Sequence, residues 1–314
     1  MKGVMLVNMG GPESPEELKK FLSRMFRDPR ILPFSKPVRN ILSLIISNAR
    51  YRKSWKKYEL IGGTPLIKAT QRTAEEVQLE LGEDWIVRYA FSYSMPDIQV
   101  GLERFKKEGI REITVIPLYP QASFTTTDSV IDDVKKITGK DSFYQVKILG
   151  EFYNHPGYVA FWVQLIKNHL EIHQIEDPTL VFSAHSIPEY HITNGDTYAS
   201  SIVNSAALIA TELGLHYEAG FQSGMKRGTW IGPDVKEHLK TLREEGIDNL
   251  VLIPISFVHE NLETLYDLDQ DIVPYAMETL GFTHVSRVHL PETDPNLVKL
   301  LVKLVTKTNS LENG

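Results

Sequence analysis

The sequence predicts an α/β protein built from two doubly wound, Rossmann-like halves with parallel sheets, related by internal duplication. The first observation is a repeat. Glu108 followed by Gly109-Ile110-Arg111-Glu112-Ile113-Thr114-Val115-Ile116-Pro117 recurs as Glu245 followed by Gly246-Ile247-Asp248-Asn249-Leu250-Val251-Leu252-Ile253-Pro254, an offset of 137 residues. The offset persists upstream, where Pro96-Asp97-Ile98 matches Pro233-Asp234-Val235, and Leu102 and Phe105 match Leu239 and Leu242. Further back, Ala90-Phe91-Ser92 resembles Gly220-Phe221-Gln222, with a longer insert in the second copy. The second observation is that the strand-like runs are continuously apolar, as in parallel sheets covered on both faces. The third is that each copy reads as a helix followed by such a strand, the alternation of doubly wound folds.

In chain order, Gly3 to Asn8 is the opening strand and Gly10-Gly11-Pro12 a turn. Ser14-Pro15-Glu16-Glu17 reads as a helix start with a capping box and Pro at the first helical position. Asp97 and Asp234 suit N-caps, and Gly109 and Gly246 suit helix exits. The first half runs to about residue 150, residues 151–177 form a connecting helix, and the second half is residues 178–314. The amphipathic tail from Leu297 to Val305 is expected as a helix docked within that second half. Leu180-Val181-Phe182 and Leu250 to Ile255 are its central strands. Ligands of such sheets bind beyond the carboxyl ends of strands, where Asn8, Tyr119, His185 and Phe257 fall.

Composition narrows the function classes. The chain has 314 residues, 42% hydrophobic and 24% charged, with a net charge of −6. That balance reads as a soluble globular protein and disfavours nucleic acid as a partner. There is no cysteine, which removes disulfides, thiolate metal sites, iron–sulfur clusters and cysteine nucleophiles. No signal-peptide pattern or membrane-length apolar run is visible, so the expectation is a cytoplasmic protein. Neither Gly10-Gly11-Pro12 nor Ile61-Gly62-Gly63-Thr64-Pro65 has nucleotide-binding spacing.

His185 follows a buried strand among small residues, in Ser183-Ala184-His185-Ser186-Ile187-Pro188. A strand-end His can be held by backbone, or it can bind metal or take a proton. Glu260 and Glu263 follow Phe257; a helix beginning near His259 would put both on one face. His259 itself diverges from them and ranks low. Met9, Trp230 and Phe257 have core packing as their commoner fate; together with Tyr119 they could wall a pocket for a flat apolar ligand. Ile31 to Arg50 is apolar and leads into the basic, aromatic Arg50-Tyr51-Arg52-Lys53-Ser54-Trp55-Lys56-Lys57-Tyr58. This pair of segments suits a pocket lip, peripheral contact with the inner face of a membrane, or a helix packed on its own domain.

Taken together these motifs resemble the ferrochelatase family over nearly the whole chain. The resemblance rests on Val7-Asn8-Met9-Gly10-Gly11-Pro12, Tyr58 with Ile61-Gly62-Gly63-Thr64-Pro65, and Tyr119-Pro120-Gln121 with Thr125-Thr126-Thr127. It continues through Ser183 to Pro188, Phe221-Gln222-Ser223, Trp230-Ile231-Gly232-Pro233 and Glu263-Thr264-Leu265-Tyr266. It implies insertion of Fe²⁺ into a porphyrin to give heme, with release of two pyrrole protons. Porphyrin and ferrous iron are then substrates, and no cofactor is permanently bound. The family's His falls on His185 and its catalytic Glu on Glu263, as catalytic and metal-binding residues. Porphyrin-lining residues fall on Met9 and Trp230, with Tyr119 and Phe257 beside them.

The sequence departs from the family pattern at three places. Glu260-Asn261 stands where many members have Asp-His, Ser92 stands where many have Arg, and Thr64 shortens a glycine turn. The cysteine-ligated cluster of some members is absent with the cysteines.

The chemistry implied is that a bent macrocycle exposes its nitrogens, at a cost met by binding energy. His185 then serves as base and transient Fe²⁺ ligand, and Glu263 carries the proton away or holds the metal opposite. Asn8 to Pro12 resembles the protoporphyrin-using branch, with coproporphyrin as the alternative substrate. A non-catalytic tetrapyrrole or metal carrier, or a chelatase for cobalt or nickel, are the rival readings.

Overall fold

Val4, Met5, Leu6 and Val7 are completely buried, and the strand they form sits inside a four-stranded sheet. The computed structural model describes residues 1–224 and 228–310. The chain divides into two compact units, Met1–Glu151 with Glu292–Gly314, and Phe152–Pro291.

The first unit contains β1 (Lys2–Asn8), α1 (Pro15–Met25), α2 (Lys36–Leu60), α3 (Leu66–Leu81), β2 (Trp85–Phe91), α4 (Ile98–Lys107), β3 (Glu112–Pro117), α5 (Thr127–Thr138) and β4 (Gln145–Ile148). Its sheet order is β2-β1-β3-β4, and every pairing is parallel. The second unit contains α6 (Pro156–His173), β5 (Thr179–His185), α7 (Glu189–Thr193), α8 (Tyr198–Leu213), β6 (Tyr217–Gln222), α9 (Val235–Glu244), β7 (Asn249–Ile253), two π-helical stretches (Glu263–Ile272 and Tyr275–Thr279) and β8 (His284–Arg287). Its order, β6-β5-β7-β8, is again all parallel.

The two sheets share one topology, and their hydrogen bonds repeat. Phe91 N donates to Pro96 O at 2.9 Å, as Phe221 N does to Pro233 O at 2.8 Å. Ile110 N reaches Phe105 O at 2.9 Å, as Ile247 N reaches Leu242 O at 3.0 Å. The expected caps form: Ser14 accepts from Glu17 N, Asp97 from Val100 N, and Asp234 from Lys236 N and Glu237 N. Each sheet is covered by its own apolar cluster. Met5, Val7, Leu102, Phe105 and Val115 belong to the first, and Val181, Leu239, Leu242, Leu252 and Leu268 to the second.

Register shows which residues of the halves correspond. Gly3 pairs with Ile113 and Thr179 pairs with Leu250. Ile113 to Leu250 is the repeat's own step, so Met9 of the first half corresponds to His185 of the second. By the same step Glu263 corresponds to Thr126, the N-cap of α5.

Three expectations are corrected. The C-terminal helix, α10 (Pro295–Ser310), packs against α3 and belongs to the first unit rather than the second. An apolar stripe dictates docking but carries no address. Residues 225–227 and 311–314 of the expected second half lie outside the described residues. The segment expected as a connector becomes α6, whose Tyr158, Phe161, Trp162 and Ile166 are buried in the second unit. No helix begins near His259; helical winding starts at Leu262, and Glu260 lies ahead of it.

The lip segment forms α2, 25 residues long and oddly faced. Its buried positions include Ser43 and Ser47, while Val38, Ile41, Leu44 and Ile45 are 45–61% exposed. An apolar stripe turned outward from small buried serines marks a contact surface. Among the described residues, no helix is long and apolar enough to cross a membrane.

Candidate active site

The second unit gathers polar groups at the carboxyl edge of its sheet. His185 is the last residue of β5, paired in register with Gln222 at the end of β6. Its main chain is fixed from one side, because the buried Tyr198 hydroxyl donates to His185 O at 3.0 Å. The next residue is fixed as well: Ser186 N donates to Gln222 O at 2.8 Å and Ser186 Oγ to Ile231 O at 2.8 Å. The imidazole is half-buried, and among the described residues its buried Nδ1 has no hydrogen-bond partner. A buried nitrogen without a partner costs about 1–3 kcal/mol, so such groups concentrate where function demands them.

Gln222 connects His185's strand to Glu263. Its Oε1 accepts from Ser183 Oγ at 2.8 Å, and its Nε2 donates to Glu263 O at 3.3 Å. With both amide ends engaged and the residue 2% exposed, Gln222 is a fixed link between β5 and the main chain of Glu263. Gln222 lies within the Phe221-Gln222-Ser223 motif, which by itself assigns it no role. Its signal was a polar side chain at the last position of a buried strand.

Glu263 is half-buried at the start of the π-helical stretch Glu263–Ile272. Asn261 and Thr264 cap that start reciprocally. Asn261 N donates to Thr264 Oγ1 and Thr264 N donates to Asn261 Oδ1, both at 3.0 Å. Further along, Ser223 holds Asp267 at 2.7 Å from a left-handed backbone (φ 65°), and Lys236 pairs with Asp271 at 2.6 Å. Asp267 and Asp271 are therefore anchored by the residue that follows β6 and by α9.

Trp230 pairs with Pro188 in the loop that follows His185. Gly224 lies against it, where an added Cβ would stand 3.4 Å from Trp230 Cβ and 3.9 Å from Ser186 Cβ. The second unit thus brings Trp230 beside the His185 loop. Phe257, half-buried, lies four residues beyond the end of β7, its N–H donating to Pro254 O at 3.1 Å. Met9 and Tyr119 occupy the corresponding edge of the first sheet, past β1 and β3. Burial, the largest cause, raises the Tyr119 phenol well above its ordinary range. A groove of about 860 Å³ lined by α6 and α8, including Val159, Val163, Ala207 and Leu208, contains none of these residues.

His259 separates from the site by burial. His259 is 1% exposed, and desolvation lowers its pKa to about 4. Its folded form is neutral where the unfolded chain, titrating near 6.5, is protonated. Stability is therefore full above about pH 6.5 and falls as pH drops from there toward 4, by up to ~3 kcal/mol for this group. His259→Gln is expected to flatten that acid limb in urea unfolding measured at pH 7 and pH 4.5. An unchanged limb would contradict the assignment. Glu260 keeps its charge instead. Burial pushes its carboxyl up, but His289, the Arg287 charge, Thr264 and the Leu290 N–H outweigh this and hold it below the ordinary value.

Comparison with known proteins places the whole chain in one context. The family model described as Ferrochelatase matches residues 1–309. A ferrochelatase of Aquifex aeolicus is 38% identical over 308 residues, covering 97% of this chain and 98% of its own. One of Geotalea uraniireducens is 33% identical over 316 residues, covering 98% of each. Among solved structures, SirB from Bacillus subtilis with Fe³⁺ superposes with a TM-score of 0.59 at 12% identity, over 98% of this chain and 96% of that one. CbiX, the terminal enzyme for siroheme biosynthesis in denitrifying bacteria, gives 0.53 at 13% identity, over 98% and 99%. These two share the duplicated chelatase fold.

Proposed function

The chain belongs to the ferrochelatase family, whose reaction is metal insertion into a porphyrin in heme biosynthesis, and on that premise we propose that it inserts Fe²⁺ into protoporphyrin IX with His185 and Glu263 as the reacting pair. The observation that carries the pair is the bridge through Gln222. It ties the main chain of Glu263 to the end of β6, the strand paired in register with His185.

Insertion replaces two pyrrole N–H protons by one metal ion. The macrocycle therefore needs a proton acceptor at its face and a route onward to solvent. His185 is the acceptor. Among the described residues, no side chain or backbone group holds its Nδ1, and an imidazole can accept and release a proton at a ring nitrogen. Neutral imidazole is also a suitable transient Fe²⁺ ligand. Glu263 takes the proton on, or holds the ion as it enters, and Asp267 and Asp271 continue the carboxylates along the helix. Met9 at the position matching His185, and Thr126 at that matching Glu263, put no ionisable side chain at those two positions of the first half. Trp230 and Phe257 serve as macrocycle contacts in the second half.

The outward apolar stripe of α2 favours the less carboxylated porphyrin. The two candidates are compared by anaerobic kcat/KM with Fe²⁺. Protoporphyrin IX is expected to exceed coproporphyrin III at least tenfold, a difference of about 1.4 kcal/mol. Ile41→Glu with Ile45→Glu is expected to narrow the gap. A preference for coproporphyrin III would reverse the assignment.

A further inference from the structure

We propose that Arg287 is a positioning residue for metal insertion, its guanidinium fixing the π-helical turn that presents Glu263; this rests on the role of Glu263 proposed above. Arg287 ends β8 with its side chain 1% exposed. Every guanidinium N–H has an acceptor. Nε donates to Asp269 Oδ1 at 2.6 Å, and Nη2 donates to Asp269 Oδ2 at 2.7 Å and His289 Nδ1 at 2.8 Å. Nη1 donates to Glu260 Oε1 at 3.0 Å, Glu260 Oε2 at 3.2 Å and Val288 O at 3.2 Å.

The two carboxylates straddle Glu263 in sequence. Glu260 precedes the Asn261 cap, and Asp269 lies inside the π-helical stretch. One planar cation thus ties the entry of that stretch to its middle. The tie extends inward, because Thr264 Oγ1 donates to Glu260 while accepting from Asn261 N. Leu290 N donates to Glu260 Oε1 at 2.9 Å, anchoring the same carboxylate to the segment after β8. Glu263 sits between Asn261 and Thr264 and inherits its place from this frame.

π-Helical winding is rare and recurs at functional sites, so it needs support from outside itself. Net stability is a poor reason for the cluster, since a buried ion pair is often replaceable by apolar groups without loss. What apolar groups cannot supply is a directional hold on two separated points of one helix. Lysine cannot supply it either, being a point charge without the planar fork.

The test is a double-mutant cycle of Arg287→Lys with Glu263→Gln, read by kcat, porphyrin KM and amide hydrogen exchange. Arg287→Lys is expected to lower kcat about 10- to 100-fold, the usual range for residues that orient a metal's ligands. Porphyrin KM should stay within about twofold, and exchange should rise at residues 263–272. In the Glu263→Gln background the same change is expected to cost less than about twofold, as residues acting as one unit are not additive. Should Arg287→Lys fail to fold, the charge-free set Glu260→Gln, Asp269→Asn and Arg287→Met keeps the volume without stranding a charge. It is expected to melt near wild type with the same kcat loss. A folded variant with unchanged kcat, or an equal loss in both backgrounds, overturns the positioning role alone. Full activity of Glu263→Gln by itself overturns the reading of Glu263 and this inference with it.

Discussion

His185→Ala is expected to lower kcat for Fe²⁺ insertion by about 10²–10⁴-fold, the usual contribution of a positioned general base, with the melting temperature at or slightly above wild type. The two halves of this expectation have one physical source. Among the described residues Nδ1 is buried with no partner, so removing the ring strands none of those groups and relieves a desolvated nitrogen. The main-chain anchors from Tyr198 and to Gln222 do not involve the ring and survive the change. A stabilised, inactive variant is the pattern of a residue kept for chemistry. Stopped-flow chelation and thermal melts measure both quantities. Retained activity, or a large drop in stability, would refute the assignment.

Glu263→Gln is expected to lower kcat by about 10²-fold while leaving the fold unchanged. Gln222 holds Glu263 through its main-chain oxygen, which glutamine keeps, and the Asn261–Thr264 cap flanks it untouched. Only the negative charge goes, and with it the ability to take a proton from His185 or balance Fe²⁺. The His185→Ala, Glu263→Gln double variant should be little worse than His185→Ala alone, because both serve one proton path. Multiplied losses would mean that the two residues act at separate steps.

Much of this was legible in the residues. The 137-residue repeat anticipated two sheets of one topology, and its Asp97 and Asp234 caps form as read. Continuous apolar runs anticipated the buried parallel strands. The helix start after β7 was misplaced, because His259-Glu260 looks like a first turn. It is the exchange between Asn261 and Thr264 that sets the boundary, and such a pair is visible only once the chain turns there. The π-helical winding was equally hidden. Its buried Thr264, Leu268 and Ile272 recur every four residues, a spacing that an ordinary helix also uses. Gln222 and Arg287 escaped notice for another reason. Their partners lie far along the chain, Glu260 being 27 residues from Arg287, and only the sheet brings them together. The α10 helix had the right pattern for docking and nothing in it to name α3.

The central claim is catalysis, as against stoichiometric holding of a tetrapyrrole or metal. Its most direct test mixes the purified protein without oxygen with excess Fe²⁺ and protoporphyrin IX and follows the conversion of free base to metalloporphyrin by absorbance. Many equivalents of heme per protein chain, at a rate that collapses in His185→Ala, is the expected result. Tight porphyrin binding that stops at one equivalent with the free-base spectrum intact would contradict it.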